Sequence, residues 1–238
     1  MKPQKIKFNP AALFILPPGR NLKISHGFTI IELVIASTIL AIILMITMET
    51  YMIGYDAYDT GKTIVRAQTE LQIKLDQICE ELAESSSSAF TVYSWVDPAL
   101  GTQMQDAICF PIARSITGTF VIGSNGTPLW QAVVLYAPYA NPNTQNRGEL
   151  KKYVSFGSYT FPLSITSINT TTITLSNGLT FTREQGQTVL GDAGYMDAQA
   201  LNISLQDPLK IKLVVNARLP DQYIMPISLE TNINCRND

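Results

Sequence analysis

Histidine is nearly missing from this 238-residue chain, with His26 the one copy. Charge is also scarce, at 15% Asp, Glu, Lys and Arg against 46% apolar residues. That balance excludes a disordered chain, which combines few apolar side chains with many charges. The length allows one domain of ordinary size plus an anchor or tail. Acid is wholly absent from residues 1–27, which carry Lys2, Lys5, Lys7, Arg20 and Lys23. Residues 28–238 therefore hold 12 of the 17 basic side chains against all 19 acidic ones. Such a body is a poor match for nucleic acid, whose binders gather Lys and Arg on one face. Beyond Gly27 no histidine remains, which removes Ser-His and Cys-His nucleophile pairs and the common His-based metal sites. Cys79, Cys109 and Cys235 lack any CxxC spacing, so zinc and thioredoxin-type readings have no support. Two alternatives stay open for them: one disulfide with a thiol left over in an extracytoplasmic body, or three buried thiols.

What the chain does have is one long apolar run. Phe28 to Met48 is 21 residues with a single charge, Glu32. At about 1.5 Å per residue it spans about 30 Å, the hydrocarbon thickness of a bilayer. Basic residues precede it, and Glu49, Asp56 and Asp59 follow. The positive-inside bias thus puts the N-terminus in the cytoplasm and the body across the membrane. A secretory signal peptide needs small residues just after its apolar core, and "TMETYMIGYDAYD" offers a poor cleavage site. A plain uncleaved anchor explains everything except Glu32, whose carboxylate costs about 2.5–3.5 kcal/mol near a helix centre and less toward the end where it sits. Either Glu32 snorkels to the interface or it has a cationic partner.

The run Gly27-Phe28-Thr29-Ile30-Ile31-Glu32-Leu33-Val34 resembles the prepilin signature of type IV pilins and type II secretion pseudopilins. That pattern is a basic leader ending in Gly, an aromatic residue, a Thr, two apolar residues, a Glu fifth in the mature chain, and an apolar helix. The resemblance implies that residues 1–27 are a leader, cut between Gly27 and Phe28 by a membrane aspartyl prepilin peptidase that then methylates the Phe28 amine. Gly27 suits the cut because it places no side chain beside the scissile carbonyl. Glu32 of one subunit is then expected to pair with the Phe28 amine of its neighbour, neutralising two otherwise costly charges. The leader is longer than most in the family and contains the apolar patch "ALFILPPG". Either it is a long-leader member or Met1 is not the true start.

Past Met48 the sequence turns amphipathic. Ile64, Leu71, Leu75, Ile78 and Leu82 step by the intervals of one helical stripe, with Lys62, Arg66, Glu70, Lys74, Asp76, Glu80 and Glu81 between them. The spacing predicts a helix continuous from Phe28 to about Glu84, roughly 85 Å long, ended by the serines of "ESSSSAF". Residues 28–48 form its membrane or filament-core half and residues 49–88 its amphipathic half. Gly54 and Gly61 are soft points, each costing about 1 kcal/mol against alanine. Many members of the resembled family carry a proline earlier in this stem; here Glu49 stands at that offset. Tyr51, Tyr55 and Tyr58 share a helix face and read as an interfacial aromatic belt.

From residue 89 to 238 the helical period vanishes and short β-rich runs take over, among them "FTVYSWV", "DAICFPIA", "ITGTFVIG", "WQAVVLYAP", "LKKYVSF", "ALNISLQ", "LKIKLVVNARLP" and "MPISLETNINC". The stretch "SITSINTTTITLSNGLTFTRE" reads the same way. Turn signals at Ser124-Asn125-Gly126-Thr127, Asn141-Pro142-Asn143, Ser176-Asn177-Gly178 and Leu219-Pro220-Asp221 separate the runs. The expected fold class is α+β, a pilin-like lollipop: a long N-terminal helix packed on a mainly antiparallel β-sheet head. Trp95 and Trp130 read as head-core residues. The order of the late runs, closing near Arg236-Asn237, looks like J-type or W-type minor pseudopilins and pilins. Asp192, Asp197 and Asp207 lack the dense alternation of a calcium loop, and "GSNGTP" is a hairpin turn rather than a phosphate cradle.

The resemblance implies a non-enzymatic structural subunit, without cofactor or metal, of a type IV pilus or type II secretion pseudopilus. Its implied partners are the prepilin peptidase, other pilin or pseudopilin subunits, the inner-membrane assembly platform and the membrane. The location implied is single-pass in the cytoplasmic membrane with the head extracytoplasmic. The alternative class is a stand-alone membrane-anchored extracytoplasmic binding module or adhesin, against which Gly27 and Glu32 argue.

Overall fold

A computed structural model describes residues 29–97, 105–140, 147–191, 195–205, 208–221 and 223–235. Residues 1–28, which include the expected leader, and Asn141-Pro142-Asn143, Asp192, Asp207 and Arg236-Asn237 lie outside the described residues. The chain divides into two compact units, residues 1–52 and 53–238. A single helix, α1 (Ile30–Ala83), runs from the first into the second.

In the first unit every described residue is exposed. Its hydroxyls do not break the apolar surface, because each returns a hydrogen bond to its own helix. Ser37 and Thr38 donate to the Val34 carbonyl at 2.9 and 2.8 Å, Thr47 to Ile43 at 2.7 Å and Thr50 to Ile46 at 2.8 Å. Such back-bonding satisfies a polar group where no water is at hand.

In the second unit α1 is two-faced. Ala67, Leu71, Leu75, Ile78 and Leu82 are buried, and Ile64 is partly so. Ala67 thus joins the stripe expected from the larger residues. The helix passes through Gly54 and Gly61 without a break. After Ala83 the run of four serines cannot sustain it, and a short 3-10 turn (Ser87–Ala89) leads into the strands.

Eleven strands follow among the described residues: β1 (Thr91–Trp95), β2 (Gln105–Ile112), β3 (Ala132–Ala140), β4 (Gly148–Phe156), β5 (Ile165–Ile168), β6 (Thr172–Leu175), β7 (Thr180–Thr182), β8 (Gln187–Leu190), β9 (Met196–Ser204), β10 (Leu209–Arg218) and β11 (Ile224–Ile233). They form three sheets, ordered β1-β2-β3-β4-β8, β11-β10-β9 and β5-β6-β7. Every pairing is antiparallel, as short connections without crossover helices require.

The five-stranded sheet is buried on both faces. Ile108, Phe110, Val134, Tyr136 and Leu150 form one core with the α1 stripe and with inward residues of β9–β11 such as Leu201, Leu213 and Val215. Cys109, Val133, Leu135, Tyr139 and Tyr153 form a second core with Ile173, Leu175 and Phe181 of the small β5–β7 sheet. Strand β3 lies between the two and is buried at all nine positions, which explains its unbroken apolar sequence. Trp95 lies in the second core, edge-on to Tyr139 at 5.4 Å. Trp130 is only half-buried, against Phe161.

The strand expectations differ from the structure in three places. "ITGTFVIG" forms no ladder, only the isolated bridges Arg114–Phe120 and Ile122–Pro128, because the chain reverses tightly at Gly118 and again at Gly126, both with φ near +80°. Strand β8, "QTVL", carries no alternation to announce it: as an edge strand it leaves Gln187 and Thr188 exposed. Strand β9 begins at Met196, four residues before the apolar run, because it holds Asp197 in its buried ladder.

Polar contacts lock helix to sheet. Tyr136 Oη donates to Glu81 at 2.8 Å and Lys152 Nζ to the same carboxylate at 2.5 Å. The ladder sets Tyr136 opposite Lys152, so one carboxylate receives both. Glu84 takes a two-pronged ion pair from Arg114. Glu70 accepts from Tyr195, over whose ring Arg66 lies at 4.2 Å.

Two substitutions test this core. Leu75→Ala is expected to lower head stability by about 2–5 kcal/mol in urea unfolding, since Leu75 is 1% exposed and packed between helix and sheets. Gly186→Ala is expected to cost about 1–3 kcal/mol, because a Cβ there would stand 2.6 Å from Cζ of the buried Tyr153. Unchanged unfolding midpoints would overturn either assignment.

Candidate functional site

Of the residues singled out by the N-terminal pattern, Thr29 and Glu32 meet at the head of α1. Thr29 is the residue before the first helical turn, and its carbonyl accepts from Leu33 N at 3.1 Å. Its hydroxyl accepts from Glu32 N at 3.2 Å, while Glu32 Oε2 accepts from Thr29 N at 2.9 Å and from the Thr29 hydroxyl at 3.1 Å. This reciprocal arrangement is a capping box, which satisfies two backbone donors that a helix start otherwise leaves orphaned. Glu32 also lies at the positive end of the helix dipole, where a carboxylate is favoured. The carboxylate therefore has an intramolecular partner before any neighbour arrives. Both bonds use Oε2, and Oε1 has no hydrogen-bond partner among the described residues. One oxygen caps the helix, and the other is left open to a further donor or a cation.

Sequence reasoning assigned Glu32 to another subunit and missed Thr29 as its capping partner. The signal was present in Thr29-x-x-Glu32, the Ser/Thr-x-x-Glu form of a capping box. Gly27 and Phe28 lie outside the described residues. From Ile30 onward this is the one helix, among the described residues, long and apolar enough to cross a membrane. Ile30, Leu40, Ile43 and Met45 are more than half exposed, so its apolar surface has no cover among the described residues.

The other candidates are internal. Asp197 is fully buried, paired with Arg218 at 3.2 Å and accepting from Gly148 N and the Gln199 amide. Burial raises its carboxyl above the ordinary range, against the pull of Gln199 and Arg218. Its oxygens hold β9 against β4 and β10 rather than facing solvent. Tyr51, Tyr55 and Tyr58 are exposed along α1. Cys109 is buried and Cys79 and Cys235 are half-buried, none of them in a disulfide. Burial pushes the Cys79 thiol up to about 11, with Asp76 adding to it, and the Cys109 thiol up to about 12 against a hydrogen bond from Thr91. Neither is a ready nucleophile at neutral pH.

Residues 22–48 match the family described as the prokaryotic N-terminal methylation motif, the prepilin and pseudopilin signature. The match covers the last residues before the Gly27-Phe28 junction, the junction itself, the capping box and the apolar run. No curated protein and no solved structure matches the chain.

The buried thiols and phenols give the head an alkaline limit. Burial raises Tyr136 and Tyr139 as well, and Tyr153 to about 12. The folded head keeps protons that the unfolded chain releases above about pH 8.5–10, so its stability is full below that range and falls as pH rises toward 12. The urea midpoint is expected to hold from pH 7 to 8 and to decline steadily above pH 9; a flat profile to pH 11 would contradict the raised values.

Proposed function

From the methylation motif at the head of an otherwise uncovered apolar helix, we propose that this chain is a structural, non-enzymatic subunit of a type IV pilus or type II secretion pseudopilus. The finer reading is a minor subunit of J-type or W-type. In this reading residues 1–27 are the leader, prepilin peptidase cuts between Gly27 and Phe28, and the new Phe28 amine is methylated. Residues 28–48 anchor the chain in the inner membrane with its N-terminus cytoplasmic and its head on the other side. The assembly platform then moves the stem out of the bilayer against the stems of other subunits. The observation that carries this reading is the match over residues 22–48, and the geometry at Glu32 supports it. A cation is what this carboxylate most needs once packing against other stems takes it out of water, and a neighbour's Phe28 amine is one.

The capping box divides the role of Glu32 in two. Glutamine can fill the third helical position of such a box but cannot neutralise an amine. Glu32→Gln is therefore expected to be processed normally and to keep its helical content by circular dichroism, yet to enter filaments poorly. Filament incorporation at the parental level would sink the charge-pair role.

Intact-mass spectrometry tests the whole reading. The expected mature chain begins with N-methyl-Phe28, and Gly27→Ala (or a bulkier residue) leaves a protein heavier by the leader, about 3 kDa for a segment of signal-peptide length. A wild-type mass that includes the leader points instead to the stand-alone anchored module.

A further inference from the structure

The last turns of α1 are charged the wrong way for a helix end. A helix C-terminus favours cations, yet the last turn of α1 holds no basic residue, and Glu80, Glu81 and Glu84 cluster there. The head compensates two of them: Lys152 pairs with Glu81 and Arg114 with Glu84. Glu80 is exposed and has no ion-pair partner among the described residues; it only adds a weaker pull on the Arg114 guanidinium, which Glu84 already holds above its ordinary range. These three carboxylates, with their partners Arg114 and Lys152, line an open groove of about 450 Å³ whose apolar lining is Ile112, Ile116, Val154 and Phe156. The floor is not sealed, for Ile116 is 79% and Phe156 45% exposed. An apolar trough with one uncompensated carboxylate at its lip calls for an apolar partner bearing a cation.

The same chain carries that partner. On the face of α1 turned away from the head, Lys62, Val65, Thr69 and Ile73 lie at helical spacing and all are exposed. Thr69 returns its hydroxyl to the Val65 carbonyl at 2.8 Å, so the stripe between Lys62 and Ile73 presents methyl groups and no carboxylate. We propose that the groove below Glu80 receives this stripe from the stem of a second copy of the chain, with Lys62 of that copy at Glu80. Resting on the filament reading above, this contact sets two parallel stems 18 residues out of register, about 27 Å along the axis. It matches charge with charge and the exposed Val65 and Ile73 with Ile116, Val154 and Phe156.

The distance within one chain makes the test clean. Glu80 and Lys62 of the same helix are about 27 Å apart, so a zero-length bond between them joins two chains. Isolated membranes holding the full chain are treated with a water-soluble carbodiimide, which condenses a carboxylate with an amine into an amide with loss of water. The expected product is a band of twice the chain mass whose digest contains a Glu80–Lys62 junction. Glu80→Gln and Lys62→Gln are each expected to reduce that junction at least tenfold. The double variant Glu80→Lys with Lys62→Glu is expected to restore it with its ends exchanged. Both side chains are exposed, so these variants leave the fold intact. A processed chain, beginning with N-methyl-Phe28, that forms no such junction, or joins Glu80 to a different protein, overturns the groove assignment and leaves the filament reading standing. A junction formed by chains that keep their leader does the reverse.

Discussion

The apolar surface from Ile30 to Met48 is covered by none of the described residues, and that constraint organises much of the rest. Such a surface is stable only in lipid or against other helices, so every polar group along it has to be quietened locally. Ser37, Thr38 and Thr47 do this by bonding back to carbonyls three or four residues earlier. Glu32 does it by sitting at the third helical position, where the orphaned donors of a helix start supply partners for one of its oxygens. A carboxylate two turns further along would find no such donors. The position of the acid is thus a requirement of helix physics.

The second half of α1 answers the opposite demand. Here the helix has a protein surface to cover, and its stripe from Ile64 to Leu82 closes a core shared by two sheets. Apolar burial supplies most of the stabilisation, but it is non-directional and would allow the helix to slide. Glu81, Glu84 and Glu70 each reach a different part of the head, and these contacts select one register. The electrostatic cost of acids near a helix C-terminus is offset where Lys152 and Arg114 answer them. It is left standing at Glu80, and a conflict of that kind in an otherwise consistent element marks a surface that another molecule completes.

The head shows why a mostly buried antiparallel sheet can hide its own design. Strand β3 reads as a uniform apolar run because one face meets the helix and the other meets the β5–β7 sheet. The structure thereby has three layers, helix on sheet on sheet, while the sequence offers only a succession of short strands. Strands with both faces covered, or with an edge in solvent such as β8, lose the alternation by which strands are recognised. The "ITGTFVIG" excursion shows the converse, with strand-like composition but two glycines at positive φ that fold it on itself before a ladder can form.

By itself the sequence determined the long helix, its change from wholly apolar to two-faced near Met48, the junction motif and the antiparallel character of the head. These follow from local periodicity and from residues at fixed short offsets, which the chain carries wherever it folds. The stripe Leu71, Leu75, Ile78 and Leu82 was legible for that reason, and so in principle was the Thr29–Glu32 box. Only the tertiary structure decided which strands share a sheet, that Asp197 is an internal ion-pair partner, and that Arg114 and Lys152 arrive beside Glu84 and Glu81. The last two contacts join residues 30 and 71 positions apart. Their physical cause is the packing of separate faces into common cores, which no local pattern encodes.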